Sequence, residues 1–554
     1  MEGRFLKISA YIFGIRLFLL NFASVIKLNV MRGKIRLMLM ALVMASCSGR
    51  GIDSDPGLDS QSGRNLSHEK IVLGARLENP YKTENITKAL SALYPTKADR
   101  VQVRTTDLYV RFLPEDEQQL ALLEGLRLTD HPLDYEILQD GDWYHDPEVA
   151  DDKMTWQYAV VPHDYVFPEI EYEIIDECHI SENDSETRSG DDIDWEAVER
   201  HSYLMTGNEG FLMPDTKAEK VSPLGRITIV DEKAGDGKSA GVKGVRVSCN
   251  SFVKFAHAYT DDEGYYKMDK KFSSKLRYRL VFENSKGFSI GFNMILAPAS
   301  TSTLGQAGPD GVNASVTDRS ESKLFKRCAV NNAAYDYYSR CEVSDLNLAL
   351  PPKDLRIWLF HKLQSSSSMM MHHGAFLDMD LVSSFLGDFA PLVQIFLPDL
   401  TIGVKGRDDY ASIYSEVCHE LAHASHFSKV GTGYWNRYIL YVMGSFVSSG
   451  GMAYGDGSGV NAGYCEVGEM WAYYLSARMY HDRYGGDYPP FGTTFWFYPQ
   501  ILRYVEEKGL ECWEIFSLLD ASVNSRETLR RAMIAYCPDK ADEIELIFNR
   551  YMRP

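Results

Sequence analysis

The sequence predicts a multidomain α+β protein, and three features predict it. Mixed strand and helix patterns fill residues 69–205, strand-and-turn patterns alone fill 224–292, and helical patterns dominate 323–554. A chain of 554 residues is long enough for two to four domains, and 45% hydrophobic with 12% aromatic content supplies ordinary cores. A formal net charge of −19 argues against nucleic acid as a main partner.

The first 46 residues run against that acidity, with seven Lys/Arg and one acidic residue, Glu2. From Met31 the chain reads Met-Arg-Gly-Lys-Ile-Arg, then an apolar run from Leu37 to Met44, then Ala45-Ser46-Cys47. A basic stretch, an apolar stretch and small residues before a cysteine are the parts of a cleaved address. The pattern resembles a bacterial lipoprotein signal peptide. The resemblance implies cleavage before Cys47, a lipid on Cys47, and an extracytoplasmic chain held on a bacterial membrane, at the outer membrane or cell surface. Residues 1–46 are then a signal region that starts at Met31, with 1–30 as an upstream extension. The competing reading is a membrane helix over 5–26, which is long enough to span. Residues 47–68 are rich in Ser, Gly and Asp and read as a tether.

A small α/β domain is expected over 69–205. Val101 to Thr105 alternates, Leu108 to Leu113 is a strong strand, and Pro114-Glu115-Asp116-Glu117 is a helix-start signature. Asp134 to Leu138, Trp156 to Val161 and Glu171 to Ile175 read as further strands of the sheet. Glu182 to Asp194 is acidic and without period, and glycines and prolines mark a boundary near 205–222.

Over 224–292, Gly225 to Val230, Val242 to Ser248 and Leu276 to Phe282 read as strands. Thr260 to Tyr266 is a turn entering another, with Gly264 free to take positive φ. Gly244-Val-Arg-Val247 and Thr260-Asp-Asp-Glu-Gly-Tyr-Tyr266 resemble the marks of the carboxypeptidase regulatory-like module. The resemblance implies a small central Greek-key β-sandwich with an accessory role. Residues 293–322, rich in Ala, Ser, Thr, Gly and Pro, are expected to be a linker.

The chemistry is concentrated in Ser415 to Phe427, which contains His419-Glu420-x-x-His423. Residues four apart on a helix share a face, so His419 and His423 can take two corners of a tetrahedral zinc site. Glu420 is displaced around the helix and can reach a water molecule there without ligating the metal. Ile413, Val417, Leu421 and Ala424 form the apolar back of this helix, and Asp408 or Asp409 can cap it. Leu392 to Phe396 and Leu400 to Val404 read as preceding strands.

A catalytic zinc needs a third protein ligand. His426 is expected in a supporting or surface position, because one helix cannot wrap three of its side chains about one ion. The longer metzincin pattern is not met: His426 and Lys429 stand where a glycine and a histidine are required. Downstream, Cys465 to Leu475 reads as a helix with Glu466 and Glu469 one turn apart, either able to serve. This helix resembles the second zinc helix of the gluzincins. The resemblance implies a mainly helical, zincin-like metallopeptidase domain over 323–554, with Glu469 as third ligand and Ala472 as the small residue between the helices. Two departures stand beside it: the 46-position gap from His423 to Glu469, and Gly468 where an Asn often precedes the glutamate. Glu466 stays open as the alternative ligand.

The resemblance implies a zinc-dependent peptidase that hydrolyses peptide or protein substrates through a zinc-activated water, with Glu420 as general base. Tyr484, Tyr488, Tyr498 or His481 would stabilise the oxyanion. An inert lipid-anchored binding or adhesion protein and a zinc amidase acting on cell-wall peptide remain the alternatives. His372 and His373 form a second, weaker metal candidate. Cysteine pairs 328–341, 512–537 and 418–465 are open to disulfide formation, with free buried cysteines as the other reading.

Overall fold

The computed structural model describes residues 70–551, apart from 97–100, 151–152, 185–192, 215–219, 235–238, 292–298, 318–322, 344–345, 376–396, 450–453, 487 and 489–494. Cys47, the signal region, the tether and the expected strand at Leu392 to Phe396 lie outside the described residues. Ten helices and several sheets are described, making a mixed α/β molecule whose C-terminal part is mostly helical. No described helix is long and apolar enough to cross a membrane.

The chain begins with β1 (Val72–Arg76), α1 (Thr83–Leu93), β2 (Asp107–Leu113), α2 (Glu117–Ala121), β3 (Tyr135–Gln139), β4 (Gln157–Pro162), β5 (Glu171–Cys178) and α3 (Trp195–Met205). β2 lies between β4 and β5, antiparallel to both, as suits a strand buried on both faces. Asp116 caps α2 by accepting from Gln119 N at 2.9 Å, where the acidic triplet after Pro114 predicts a helix start. Two expectations change. β3 leaves this sheet and pairs with β1 in a separate ribbon. Val101 to Thr105 forms no strand despite its alternation; Arg104 O accepts instead from the His179 ring at 2.8 Å.

Next come β6 (Leu224–Val230), β7 (Ser239–Gly241), β8 (Val245–Ser251), β9 (Lys254–Tyr259), β10 (Tyr265–Lys267), β11 (Leu276–Asn284), β12 (Phe288–Gly291), β13 (Thr301–Ala307) and β14 (Ala314–Val316). Gly264 takes φ +83° before β10, and its ideal Cβ would lie 2.1 Å from Ile227 O, so only glycine fits this turn. The C-terminal part contributes α4 (Lys323–Cys341), β15 (Leu355–Phe360), β16 (Ser367–Ser368), β17 (Leu400–Gly403), α5 (Tyr410–Ser449), α6 (Ala462–Tyr484), α7 (Gln500–Glu507), α8 (Cys512–Leu518), α9 (Arg526–Tyr536) and α10 (Ala541–Asn549).

The central strands do not close into a self-contained sandwich. β6, β7, β10 and β14 form one sheet. β8, β9, β11, β12 and β13 join a second sheet of eight strands, ordered β16-β17-β15-β12-β11-β8-β9 with β13 beside β11. β12 pairs in parallel with β15, and β15 with β17, so one sheet crosses the boundary expected at residue 292. The linker expected over 293–322 is corrected too, since β13 and β14 lie within it and each pairs into a sheet. The physical reason is edge satisfaction: β12 and β11 would otherwise expose unpaired backbone groups. A single buried apolar cluster then runs from Ile227 through α4, α5 and α6 to Phe548.

α4 ties these layers together. Asn332 donates to Gly241 O at 2.7 Å and accepts from Lys243 N at 2.9 Å, while Tyr337 donates to Ser425 Oγ of α5 at 2.9 Å. Arg327, also on α4, meets Asp142 of the N-terminal region at 2.6 Å.

Candidate metal centre

β17 delivers the chain to α5 through a short loop, and Asp409 starts the helix by accepting from Ser412 N at 2.8 Å. Ile413, Val417, Leu421 and Ala424 are fully buried, so the apolar back of α5 faces the core as its spacing predicts. The opposite face presents His419 and His423 to α6. There Ala472 is fully buried, and Trp471 Nε1 donates to Ala422 O at 3.3 Å, so the two helices approach closely.

Glu469 of α6 completes a triad. One donor atom each from His419, His423 and Glu469 lies within 4.8 Å of the others, and all three residues are buried. His419 Nε2 is 3.5 Å from Glu469 Oε2, and His423 Nε2 is 3.5 Å from Oε1. Neither Nε2 nor Glu469 Oε2 has a hydrogen-bond partner, and neither does His423 Nδ1. Unpaired polar atoms at this depth are costly, and a cation between them removes the cost. Burial pushes the Glu469 carboxyl up, but the His423 and His419 rings outweigh it and hold it at about 2. Burial pushes His423 down, towards the neutral imidazole a metal requires, whereas at His419 burial is outweighed by Glu469 and Glu420, which raise it. The triad can hold a metal ion.

Glu420 is fully buried beside the triad. Ser368 Oγ, on the edge strand β16, lies 2.7 Å from its Oε2 and 2.9 Å from its carbonyl oxygen, while Oε1 has no partner. Burial pushes this carboxyl up to about 8, within reach of a proton exchange near neutrality.

Gly431 shapes the rest of the site. At φ 75° and ψ 177° it breaks α5 and redirects its second half. Trp435 and Tyr438 thereby come within 5.6 Å of the His423 ring, measured between centroids. Tyr438 donates to Glu469 Oε1 at 2.6 Å, and Trp435 Nε1 donates to Ser368 O at 2.8 Å. Tyr473, one turn after Glu469, meets the His419 ring edge-on at 4.5 Å.

Several expected residues lie elsewhere. Glu466 is held by Arg526, through its backbone N at 2.8 Å and its guanidinium at 2.7 Å, and points away from the triad. His426 is fully buried against Tyr434 and Trp435, not at the surface, and burial pushes it down to about 3. His372 and His373 rest on Glu117 and Asp399, at 3.3 and 3.0 Å. Tyr484 bonds Asp231, Tyr498 packs on Tyr551, and His481 stacks on Tyr488. Among the described residues, the tyrosines that touch the triad are Tyr438 and Tyr473. The +4 spacing from Glu469 marks Tyr473 in the sequence, whereas Tyr438 and Ser368 carry no such mark. Every described cysteine is free. Cys328 and Cys341 sit at opposite parts of α4, about 20 Å apart at the helical rise, too far to bridge.

No protein-family model, curated protein or solved structure matches this chain.

Proposed function

We propose that this chain is a zinc-dependent hydrolase of peptide bonds, with His419, His423 and Glu469 as metal ligands and Glu420 as general base. The observation that carries this reading is a buried carboxylate with one open oxygen, Glu420 Oε1, beside a buried His/His/Glu set in which both Nε2 atoms and Glu469 Oε2 have no hydrogen-bond partner. Two imidazoles and one carboxylate suit zinc, and three protein ligands are the number that a catalytic rather than structural zinc site uses. When bound, zinc would supply a Lewis acid that polarises the substrate carbonyl and lowers the pKa of a water molecule towards ~7.

The remaining work belongs to the protein. Glu420 accepts a proton at Oε1 from the attacking water as the new C–O bond forms. It returns a proton to the amide nitrogen as the C–N bond breaks, leaving a carboxylate and an amine. Ser368 holds Oε2 throughout and keeps the open oxygen turned to the reaction. A fully buried base is unexpected in an inert binding protein, where it serves no purpose and costs stability. A cell-wall amide would be cut by the same groups, so substrate class separates that reading. The N-terminal pattern supports extracytoplasmic anchoring through a lipid on Cys47.

The test is Glu420→Gln in the purified chain lacking residues 1–47, with zinc content and hydrolysis of a mixed fluorogenic peptide panel as readouts. One zinc per chain is expected in both proteins, with turnover falling about 10²- to 10⁴-fold in the variant. Undiminished turnover would remove Glu420 from the mechanism. A metal-replete protein without zinc would remove the hydrolase reading.

A further inference from the structure

We propose that Tyr438 is a positioning residue of the metal centre, whose hydroxyl holds Glu469 Oε1 and leaves Oε2 as the oxygen presented to the ion. This rests on the metal-hydrolase reading above and adds the selection of one ligand atom.

A carboxylate has two equivalent oxygens and can ligate through either or both. A hydrogen bond to one of them breaks the equivalence and fixes the rotation of the group. In this chain the two oxygens of Glu469 are already distinct. Each oxygen lies 3.5 Å from one histidine Nε2, but Oε1 also accepts from Tyr438 at 2.6 Å, whereas Oε2 is buried without a hydrogen-bond partner.

Tyr438 is itself fixed from several sides. Its ring stacks on Trp435 with centroids 4.8 Å apart and planes 30° apart, and Trp435 is anchored by its bond to Ser368 O. The ring also meets α6 at Gly468, where an ideal Cβ would lie 3.5 Å from Tyr438 Cδ2. Alanine would fit there, but a longer side chain would displace the ring. The glycine preceding Glu469 therefore matches the tyrosine that reaches past it. Glu420 repeats the arrangement, with Oε2 held by the Ser368 hydroxyl and Oε1 open. Both carboxylates of the site thus have one oxygen occupied by a hydroxyl, and Trp435 links the two hydroxyl-bearing residues.

The experiment compares wild type, Tyr438→Phe and Tyr441→Phe by zinc-chelator competition and by the visible spectrum of the cobalt-loaded protein. Phenylalanine keeps the ring and its stacking and removes only the hydroxyl. Tyr441 lies on the same helix, but its hydroxyl bonds Tyr454 O at 3.0 Å and does not touch Glu469. Tyr438→Phe is expected to bind zinc about 10- to 100-fold more weakly and to shift the cobalt bands as both Glu469 oxygens become available. Tyr441→Phe is expected to do neither. Wild-type affinity and an unchanged cobalt spectrum in Tyr438→Phe would overturn the inference while leaving the metal centre intact. A loss of thermal stability in the metal-free variant, with the cobalt spectrum unchanged, would reduce Tyr438 to a packing residue and overturn it too. Failure of wild type to bind either metal would overturn the hydrolase reading and this inference together.

Discussion

Ser368 Oγ stands 2.7 Å from Glu420 Oε2 inside a fully buried site, so one hydroxyl fixes the carboxylate and leaves Oε1 as the oxygen free for the proposed role as base. A hydrogen bond to a charged group is worth about 1.5–3 kcal/mol. Ser368→Ala is accordingly expected to lower kcat about 10- to 100-fold while leaving zinc content unchanged, and Ser368→Thr is expected to restore part of the rate. Equal loss of metal and activity in the alanine variant would show that Ser368 supports the centre as a whole. At this scale the histidine pair was legible, because His419 and His423 stand four apart on one helix with Glu420 between them, whereas Glu469 came with Glu466 as its alternative one turn away on a second helix. Ser368 was hidden in a run of four serines, and Tyr438 in an aromatic-rich helix. Their roles depend on contacts across 52 and 31 positions, which no local pattern encodes.

At the scale of elements, α5 acts as two helices joined at Gly431. Its φ 75° and ψ 177° fall in a region that is essentially glycine-only. Among the described residues, nothing beyond the local backbone lies within 4 Å of an ideal Cβ there, so backbone conformation demands the glycine. Gly431→Ala is expected to cost about 1–3 kcal/mol in urea denaturation and to weaken zinc binding, because the second half of α5 carries Trp435 and Tyr438. Unchanged stability would show that the break tolerates a side chain and that the redirection has another cause. The helices themselves were readable from apolar period and caps. The break was not, since Gly431 and Gly433 stand two apart and only one takes positive φ.

For the whole molecule, a buried ionic cluster joins the N-terminal region to the central sheet. Lys254 of β9, with a fully buried side chain, meets Glu182 at 2.6 Å and Glu199 at 3.6 Å. Lys220 meets the same two carboxylates at 2.9 and 3.0 Å, and Tyr81 donates to Glu199 at 2.6 Å. Burial pushes Glu182 up, but Lys254 and Lys220 outweigh it and hold the carboxyl at about 2, below the ordinary 4.5. A carboxyl depressed in the folded state stabilises fully above the unfolded value and loses that contribution as pH falls towards the folded one. Stability is therefore expected to drop between about pH 4.5 and 2 through this group. Lys254→Met leaves two carboxylates short of a partner. It is expected to cost about 3–5 kcal/mol near neutrality and to move acid unfolding to higher pH. An unchanged acid midpoint, followed by circular dichroism, would exclude the cluster as a source of the pH dependence.

The sequence alone determined what depends on neighbours in the chain: the helical spacing of His419 and His423, a cap at Asp408 or Asp409, the turn at Gly264, and most strands from β6 to β11. It also supplied Glu469 and Glu466 as an undecided pair, both on one helix and one turn apart. Tertiary structure separated them, because packing turns Glu469 to the histidines and Glu466 to Arg526. It likewise replaced a closed sandwich and a linker with strands shared across the expected boundary, since a sheet edge is satisfied by whichever strand reaches it. Local periodicity reports which face of an element is apolar. It carries no information on which distant element covers that face, and the second helix turn of this site is decided there.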